Sequence, residues 1–338
     1  MNSAESSVGL SVLDTSPIVA GSDARAALHN TLDLAKSADE LGFTRYWVPE
    51  HHGMRGVACS ATAVVIDRIA ASTERIRVGS GGVLLPNHSP LVLAEQFGTL
   101  EIYHPGRVDL GIGRALGGRK EVVERVRSSS ERTAKPFEQQ LGELLGYFAA
   151  PLEEVAAVPA IGNTPAVWLL GTSACSARLA GTLGLSYAYG GHLDPSGIER
   201  KLEIYRESFR SVRASHQPQV IVSVPVIAAD TDDRAAWLAA SIKRKLLARL
   251  DRKPILLPSP TEANSQKFTP GEEARLLNST FSGYIVGSAD TIRRKLQRIV
   301  DETGAQELMV TSPIFSHLER RRSYEICAGL KLKRTGGT

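Results

Sequence analysis

Short apolar runs alternate with longer segments of helical period along most of the chain. Residues 10–13 form a brief apolar run. Asp23 then caps a segment whose Leu28, Leu32 and Ala35 share one helical face, closed at Gly42. The same reading predicts further strands at 45–48, 75–85, 108–112, 167–170, 185–189, 220–229 and 308–311. Helices are predicted at 60–72, from Ser89-Pro90 to the His104-Pro105-Gly106 turn, and along an amphipathic stretch at 120–148. Others follow at 173–183, 195–212 and 232–250, from Ser288 to Gly304, and at the C-terminal end; an Ala/Pro-rich connector spans 149–165.

Eight strands, each followed by a helix and none by a hairpin turn, imply parallel strands joined by crossovers. The expected fold is therefore α/β, a (β/α)8 TIM barrel, whose usual length of about 250 residues leaves surplus for insertions. Residues 252–283 hold four prolines (Pro254, Pro258, Pro260, Pro270) and little periodicity. They read as a lid-like insertion after the seventh helix or as a disordered surface excursion. No composition break divides the chain, so residues 1–338 are expected to form one domain. A doubly wound sheet fits less well. The first βα turn, Asp14-Thr15-Ser16-Pro17, has no glycine fingerprint, and Gly111-Ile112-Gly113-Arg114 lacks a third glycine at dinucleotide-binding spacing.

Composition narrows the classes. Hydrophobic residues at 42% and charged residues at 22% are those of a soluble globular protein, not a disordered one. The formal net charge is +4, and six basic and two acidic side chains beyond residue 316 account for all of it. A balanced body with a basic end does not predict a nucleic-acid binder; the end reads as a solvated helix. Cys59, Cys175 and Cys327 are scattered, odd in number and without metal-ligand spacing, which suits a reducing compartment. The N-terminus is polar and no run approaches the roughly 18 apolar residues of a membrane helix. A cytoplasmic protein without membrane partners is expected.

In such a barrel, chemistry gathers where the strands end. Those ends carry Glu50-His51-His52, Ser80-Gly81-Gly82, Gly113-Arg114, Gly171-Thr172-Ser173 and Gly190-Gly191-His192. Adjacent histidines at a strand end point to different sides, and only His192 is a further ligand candidate, so a metal site is the weaker reading. Paired glycines mark a bulge or the close approach of a ligand. Thr172-Ser173 is either a simple helix cap or, with Arg114, a phosphate cradle. Residue chemistry alone reaches a barrel with a phosphate-bearing ligand and a histidine base.

The runs Arg45-Tyr46-Trp47-Val48-Pro49-Glu50-His51-His52, Val78 to Pro90 and Pro105 to Arg114 go further. Together with Val167 to Ser173 and Val286-Gly287-Ser288, they resemble the bacterial luciferase-like flavin monooxygenases over essentially the whole chain. Within that family the chain is most similar to a subgroup including polyketide-tailoring oxygenases, hence antibiotic biosynthesis. The resemblance implies reduced FMN as co-substrate, delivered by a separate NAD(P)H:flavin reductase. It also implies oxygenation of a small organic substrate, with aromatic polyketides as the class the subgroup suggests, by dioxygen through a C4a-peroxyflavin, and a homodimer formed through early helices. By position, His51 matches the catalytic histidine, with His52 helping to position it. Gly81-Gly82, after Ser80, match a non-prolyl cis peptide under the flavin ring. Arg114 matches a phosphate ligand, with Leu170, Gly171, Thr172 and Ser173 completing the cofactor-binding set. Gly113 stands where luciferase has a reactive cysteine, and Thr172 replaces its acidic residue. The segment after Gly118 is short against relatives, so a second basic phosphate contact, at Lys120 or Arg125, is not assigned. Three alternatives stay open: a deazaflavin-dependent oxidoreductase on the same barrel, a non-catalytic flavin binder, and a metal-dependent hydrolase using His51 and His52.

Overall fold

The computed structural model describes residues 6–115, 117–126, 135–149, 155–211 and 217–334. Parts of three expected segments, 120–148, 149–165 and the end of 195–212, lie outside the described residues, as do Leu116 and the last four positions.

All eight expected strands form: β1 (Gly9–Leu13), β2 (Arg45–Val48), β3 (Arg77–Ser80), β4 (Val108–Gly113), β5 (Ala166–Gly171), β6 (Ser186–Tyr189), β7 (Val220–Ala228) and β8 (Glu307–Thr311). Each pairs in parallel with its neighbours. Val12 lies opposite Tyr46, Tyr46 opposite Val78, and Leu308 opposite both Val222 and Leu10, which closes the ring. The result is a (β/α)8 barrel.

The period-two pattern sorts side chains to the two faces of the wall. Outward Val12, Tyr46, Val78, Leu110, Leu169 and Tyr187 pack against the surrounding helices in the main core. These include α1 (Ala24–Glu40), α2 (Thr62–Ala70) and α3 (Pro90–Tyr103); after α4 (Lys120–Val126), which buries no residue, come α5 (Phe137–Ala149), α6 (Ala174–Thr182) and α7 (Ile198–Ser208). Inward Leu13, Trp47, Trp168, Ala188, Ile221 and Met309 fill the middle of the bore as a separate cluster. Two residues nearer the strand starts the bore is ionic. Arg45 reaches Asp109 at 2.9 Å and Glu307 at 3.0 Å, Arg77 reaches Asp109 at 2.6 Å, and Ser11 donates to Glu307. The N-terminal end of the bore is thus plugged, and only the C-terminal end opens.

One expectation changes here. Residues 285–287 pair in parallel with the last residues of β7, Ile285 opposite Val226 and Gly287 opposite Ala228. The chain therefore leaves the rim after β7 and returns beside it, so the excursion is 229–284 and includes α8 (Asp232–Leu250). By pattern alone α8 counts as a barrel helix, because its amphipathic period is the same. It is α11 (Ala289–Thr303) that sets Ile292, Leu296 and Val300 into the main core, while α8 packs in a second cluster with Leu257, Leu276 and Ile314. Within 252–283, α9 (Pro260–Ala263) and α10 (Pro270–Leu277) fasten to α8. Arg244 donates to the Ala263 carbonyl at 3.1 Å and pairs with Glu272 at 3.0 Å. Leu257 reaches the rim, where its carbonyl accepts from Ala20 N–H at 2.9 Å.

The basic end is a second correction. In α12 (His317–Ala328), Arg320 is buried and pairs with the buried Asp14, while Arg321 pairs with Asp33 and Arg322 with Asp230. Asp14 also accepts from Thr31 and Tyr46 at 2.7 and 2.6 Å and from Ser16 N–H at 2.8 Å. The excess positive charge of the last helix is matched by carboxylates of the body, and one of its arginines is a strut rather than a solvated group.

Removing one partner of a buried pair strands the other charge, at a cost of about 3–5 kcal/mol. Arg320→Ala is expected to lower stability to urea by that amount. A loss below about 1 kcal/mol, the range of exposed pairs, would contradict the strut.

Candidate active site

At the open end, β2 runs into Pro49-Glu50-His51-His52. Glu50 N–H donates to the Gly82 carbonyl at 3.2 Å and His51 N–H to the Cys59 carbonyl at 3.1 Å, which fixes this turn to its neighbours. The Glu50 carboxylate is buried and serves as a hub. It accepts from His88 Nε2 at 2.7 Å, His52 Nε2 at 2.9 Å, Leu84 N–H at 3.0 Å and Asn87 at 3.4 Å. Burial pushes its pKa up, but the donors led by His88 outweigh that and hold it below the ordinary carboxylate value. His52 is thereby turned toward Glu50. The ring of His51 is half-buried and free of side-chain hydrogen bonds among the described residues. Burial pushes His51 down, Glu50 opposes and His52 adds to the fall, so its imidazole is neutral near pH 7.

The next wall is stripped of side chains. The Gly81–Gly82 peptide is cis. A Cβ at Gly82 would stand 2.7 Å from the Gly111 carbonyl, and one at Gly111 would overlap the Ser80 carbonyl, so β3 and β4 touch backbone to backbone here. Ser80 is fully buried, and its hydroxyl stitches the gap in the ladder by donating to Gly111 O at 2.8 Å and accepting from Gly111 N–H at 2.9 Å. That side chain belongs to the wall, not to the mouth. Leu170 lies in the bore just inside, its methyl 3.0 Å from where a Gly82 Cβ would be.

Beyond the glycines lies a cationic side. Gly113 pairs with Leu170, which sets Arg114 beside Gly171. Arg114 is exposed, and no described residue pairs with its guanidinium. Thr172 packs on Gly190, its methyl 3.1 Å from where a Cβ would stand. Ser173 caps α6, taking Ser176 N–H at 3.1 Å in a reciprocal capping box. The cap leaves the first N–H groups of α6 facing the rim, where they suit an anion.

β6 ends in Gly190-Gly191-His192. The imidazole Nδ1 of His192 is 2.6 Å from Ser223 Oγ, which donates to the Tyr189 carbonyl at 3.1 Å. Burial, helped by His51, pushes His192 down to about 4.

The arrangement brings His51, Gly81, Gly82, Arg114, Gly171, Thr172 and Ser173 to one mouth, and turns His52 toward Glu50. Glu50, His88 and Ser223 carry no site signal of their own in the sequence. Glu50 and His88 stood in the motif runs, but the carboxylate's partners are set only when 84–88 folds back over the β2 end. Among the described residues, no group of three or more His, Cys, Asp or Glu side chains is placed to hold a metal ion. The surface at the mouth does suit a flavin mononucleotide: glycines leave a flat floor free of Cβ atoms, and Arg114 with the α6 N-terminus offers donors to a phosphate.

A family model described as luciferase-like monooxygenase matches residues 10–307. A luciferase-like monooxygenase of Escherichia coli strain K12 is 39% identical, covering 97% of this chain and 98% of its own. The crystal structure of apo-MsnO8 is 37% identical, with a TM-score of 0.88 over 95% of this chain and 97% of that one. The oxygenating constituent of the Pseudomonas putida 3,6-diketocamphane monooxygenase, a type II Baeyer-Villiger enzyme solved in complex with FMN, has a TM-score of 0.72. It covers 96% and 97% of the two chains at 20% identity, a likeness of fold.

A carboxyl held below its ordinary value stabilises the fold above that value, and the contribution fades as pH falls through the lowered one. The stability difference between wild type and Glu50→Gln is therefore expected to be largest near neutrality. It should shrink as pH drops below 4.5, the ordinary value. Urea unfolding at stepped pH reads this directly; a difference unchanged down to about pH 2 would contradict an ionised hub.

Proposed function

The chain belongs to the luciferase-like monooxygenase family, and from that premise we propose that it uses reduced FMN and dioxygen to oxygenate a small organic molecule. The observation that carries the reading is the shape of the mouth. A floor of glycines is flanked on one side by neutral His51 and on the other by Arg114 and the start of α6. Bound reduced FMN would supply the two electrons that activate dioxygen. The residues of this chain do the rest. Gly81 and Gly82 support the ring, Leu170 backs it from within the bore, and Ser80 keeps that wall closed. Arg114, Gly171, Thr172 and Ser173 hold the phosphate, with α6 adding its N–H groups. His51 accepts or returns a proton at the reacting oxygen. A neutral imidazole is the form that can accept one, and His52, pinned by Glu50, limits where His51 can swing.

A phosphate site whose Arg114 is exposed and unpaired among the described residues favours a cofactor that comes and goes, supplied by a separate NAD(P)H:flavin reductase. An aromatic polyketide, as in antibiotic biosynthesis, remains the substrate class suggested by the family resemblance. We read residues 1–338 as one functional domain, with the 252–283 segment as a lid bearing on the rim through Leu257. Three free cysteines suit the cytoplasm, and no helix of the described residues is long and apolar enough to cross a membrane. A homodimer would bury the outward faces of α2 and α3, where Val64 is 70% and Tyr103 71% exposed. Sedimentation should then show a dimer that Tyr103→Glu weakens; a monomeric wild type would contradict it.

The test of the site compares two variants. Arg114→Ala should raise the dissociation constant for reduced FMN by about 10–100-fold, the worth of a charged hydrogen bond. His51→Ala should hold FMN within about threefold and slow oxygenation by about 10²–10⁴-fold, as for a lost general base. The acid limb of the wild-type pH profile gives a third reading. With His51 held below the ordinary histidine value, activity should persist below about pH 6.5. Equal turnover in His51→Ala would remove His51 from the chemistry.

A further inference from the structure

His192 is a mouth residue that the function just described leaves unused. It stands at the end of β6, four strands from β2 in a ring of eight, so it faces His51 across the bore rather than along the wall. Its hydrogen bonds define which nitrogen carries the proton. The Tyr189 carbonyl can only accept, and it takes the Ser223 hydroxyl hydrogen at 3.1 Å. The Ser223 oxygen then offers a lone pair to His192 Nδ1 at 2.6 Å, so Nδ1 holds the hydrogen and Nε2 is a bare lone pair. No described residue donates to that Nε2, and it is not among the side-chain atoms sealed from solvent without a partner. With its pKa lowered to about 4 by burial and by His51, the ring keeps that lone pair at any ordinary pH. Glycine at 191 lets the β6 end close on Ser223, since a Cβ there would stand 2.5 Å from the Ser223 carbonyl.

We propose that His192 is a specificity-determining acceptor that selects substrates carrying a hydroxyl, phenolic or enolic. The flavin floor lies on β3 and β4, whereas His192 and His51 span the mouth from β6 to β2. The space between the imidazoles is therefore the substrate's side of the site. A fixed lone pair with no other partner rewards an O–H and is left unmet by an ether or a carbonyl, which is how a polar site rejects near-isosteres. The inference rests on the monooxygenase reading, but its test does not need turnover.

Protein labelled with 15N at histidine is titrated with phenol and, separately, with anisole, matched in shape but lacking the donor. His192 should show the Nδ1-protonated tautomer, and phenol should shift its Nε2 signal and bind about tenfold more tightly than anisole, the worth of one neutral hydrogen bond. His192→Phe should erase the preference, and His192→Gln, which keeps an acceptor, should restore part of it. Ser223→Ala should weaken the preference while leaving the ring in place. Nε2 protonation, no phenol binding, equal binding of the two probes, or a preference that survives His192→Phe would each overturn the proposal. FMN titration of the same variants separates the two claims. Failure of wild type to bind FMN sinks the monooxygenase reading, and an FMN loss confined to His192→Phe would reassign the acceptor to the cofactor.

Discussion

The mouth of this barrel depends on how its floor is charged. Asp109 is wholly buried and would be costly to leave ionised alone. Arg45 at 2.9 Å and Arg77 at 2.6 Å neutralise it, and the indole N–H of Trp47 completes the set at 2.9 Å. The last bond fixes the Trp47 ring. Held there, it meets Trp168 edge-on with centroids 5.7 Å apart, and Arg45 lies 4.8 Å from the Trp168 ring centre. The two indoles fill the middle of the bore, so a side chain at position 81 would find Trp47 Cβ at 3.1 Å and Leu13 at 2.7 Å. The bare floor of the site follows from this stack. Ions at the base orient the aromatics, the aromatics exclude side chains above them, and the space left over is flat and faces the rim.

The rim then divides into two chemistries. One side is built from His51 and His192, whose pKa values burial lowers, beside the Glu50 carboxylate that holds His52 and His88. The other offers an arginine and a helix start that nothing in the described chain neutralises. Neither half needs a metal or a nucleophile. Their separation by a glycine floor is what suits a planar, phosphate-tailed cofactor with a second small molecule beside it.

Much of this is legible in the sequence. The eight strands show as short, largely apolar runs, because most of the wall is buried on both faces, and helix starts such as Asp23 and Ser173 are carried by single polar side chains. The cis Gly81–Gly82 pair also stood where the resemblance put it. What escaped was set by long-range pairing. The period of α8 is that of any amphipathic helix, and only the return of residues 285–287 beside β7 shows that it belongs to the excursion. Ser80 looked like a site residue because it precedes the glycines, but strand alternation turns its hydroxyl into the sheet. Counting charge along the chain made the C-terminal excess look solvated, since Asp14 and Arg320 are separated by almost the whole sequence and meet only in three dimensions. Glu50 was hidden for the same reason: its donors come from a segment more than thirty residues later.

The most direct test of the account is a crystal structure of the protein with FMN bound. The ring should lie on Gly81–Gly82 with its edge toward His51, and the phosphate should sit between Arg114 and the first turn of α6. A flavin seated outside the mouth, or one inside it with the phosphate away from Arg114, would contradict it.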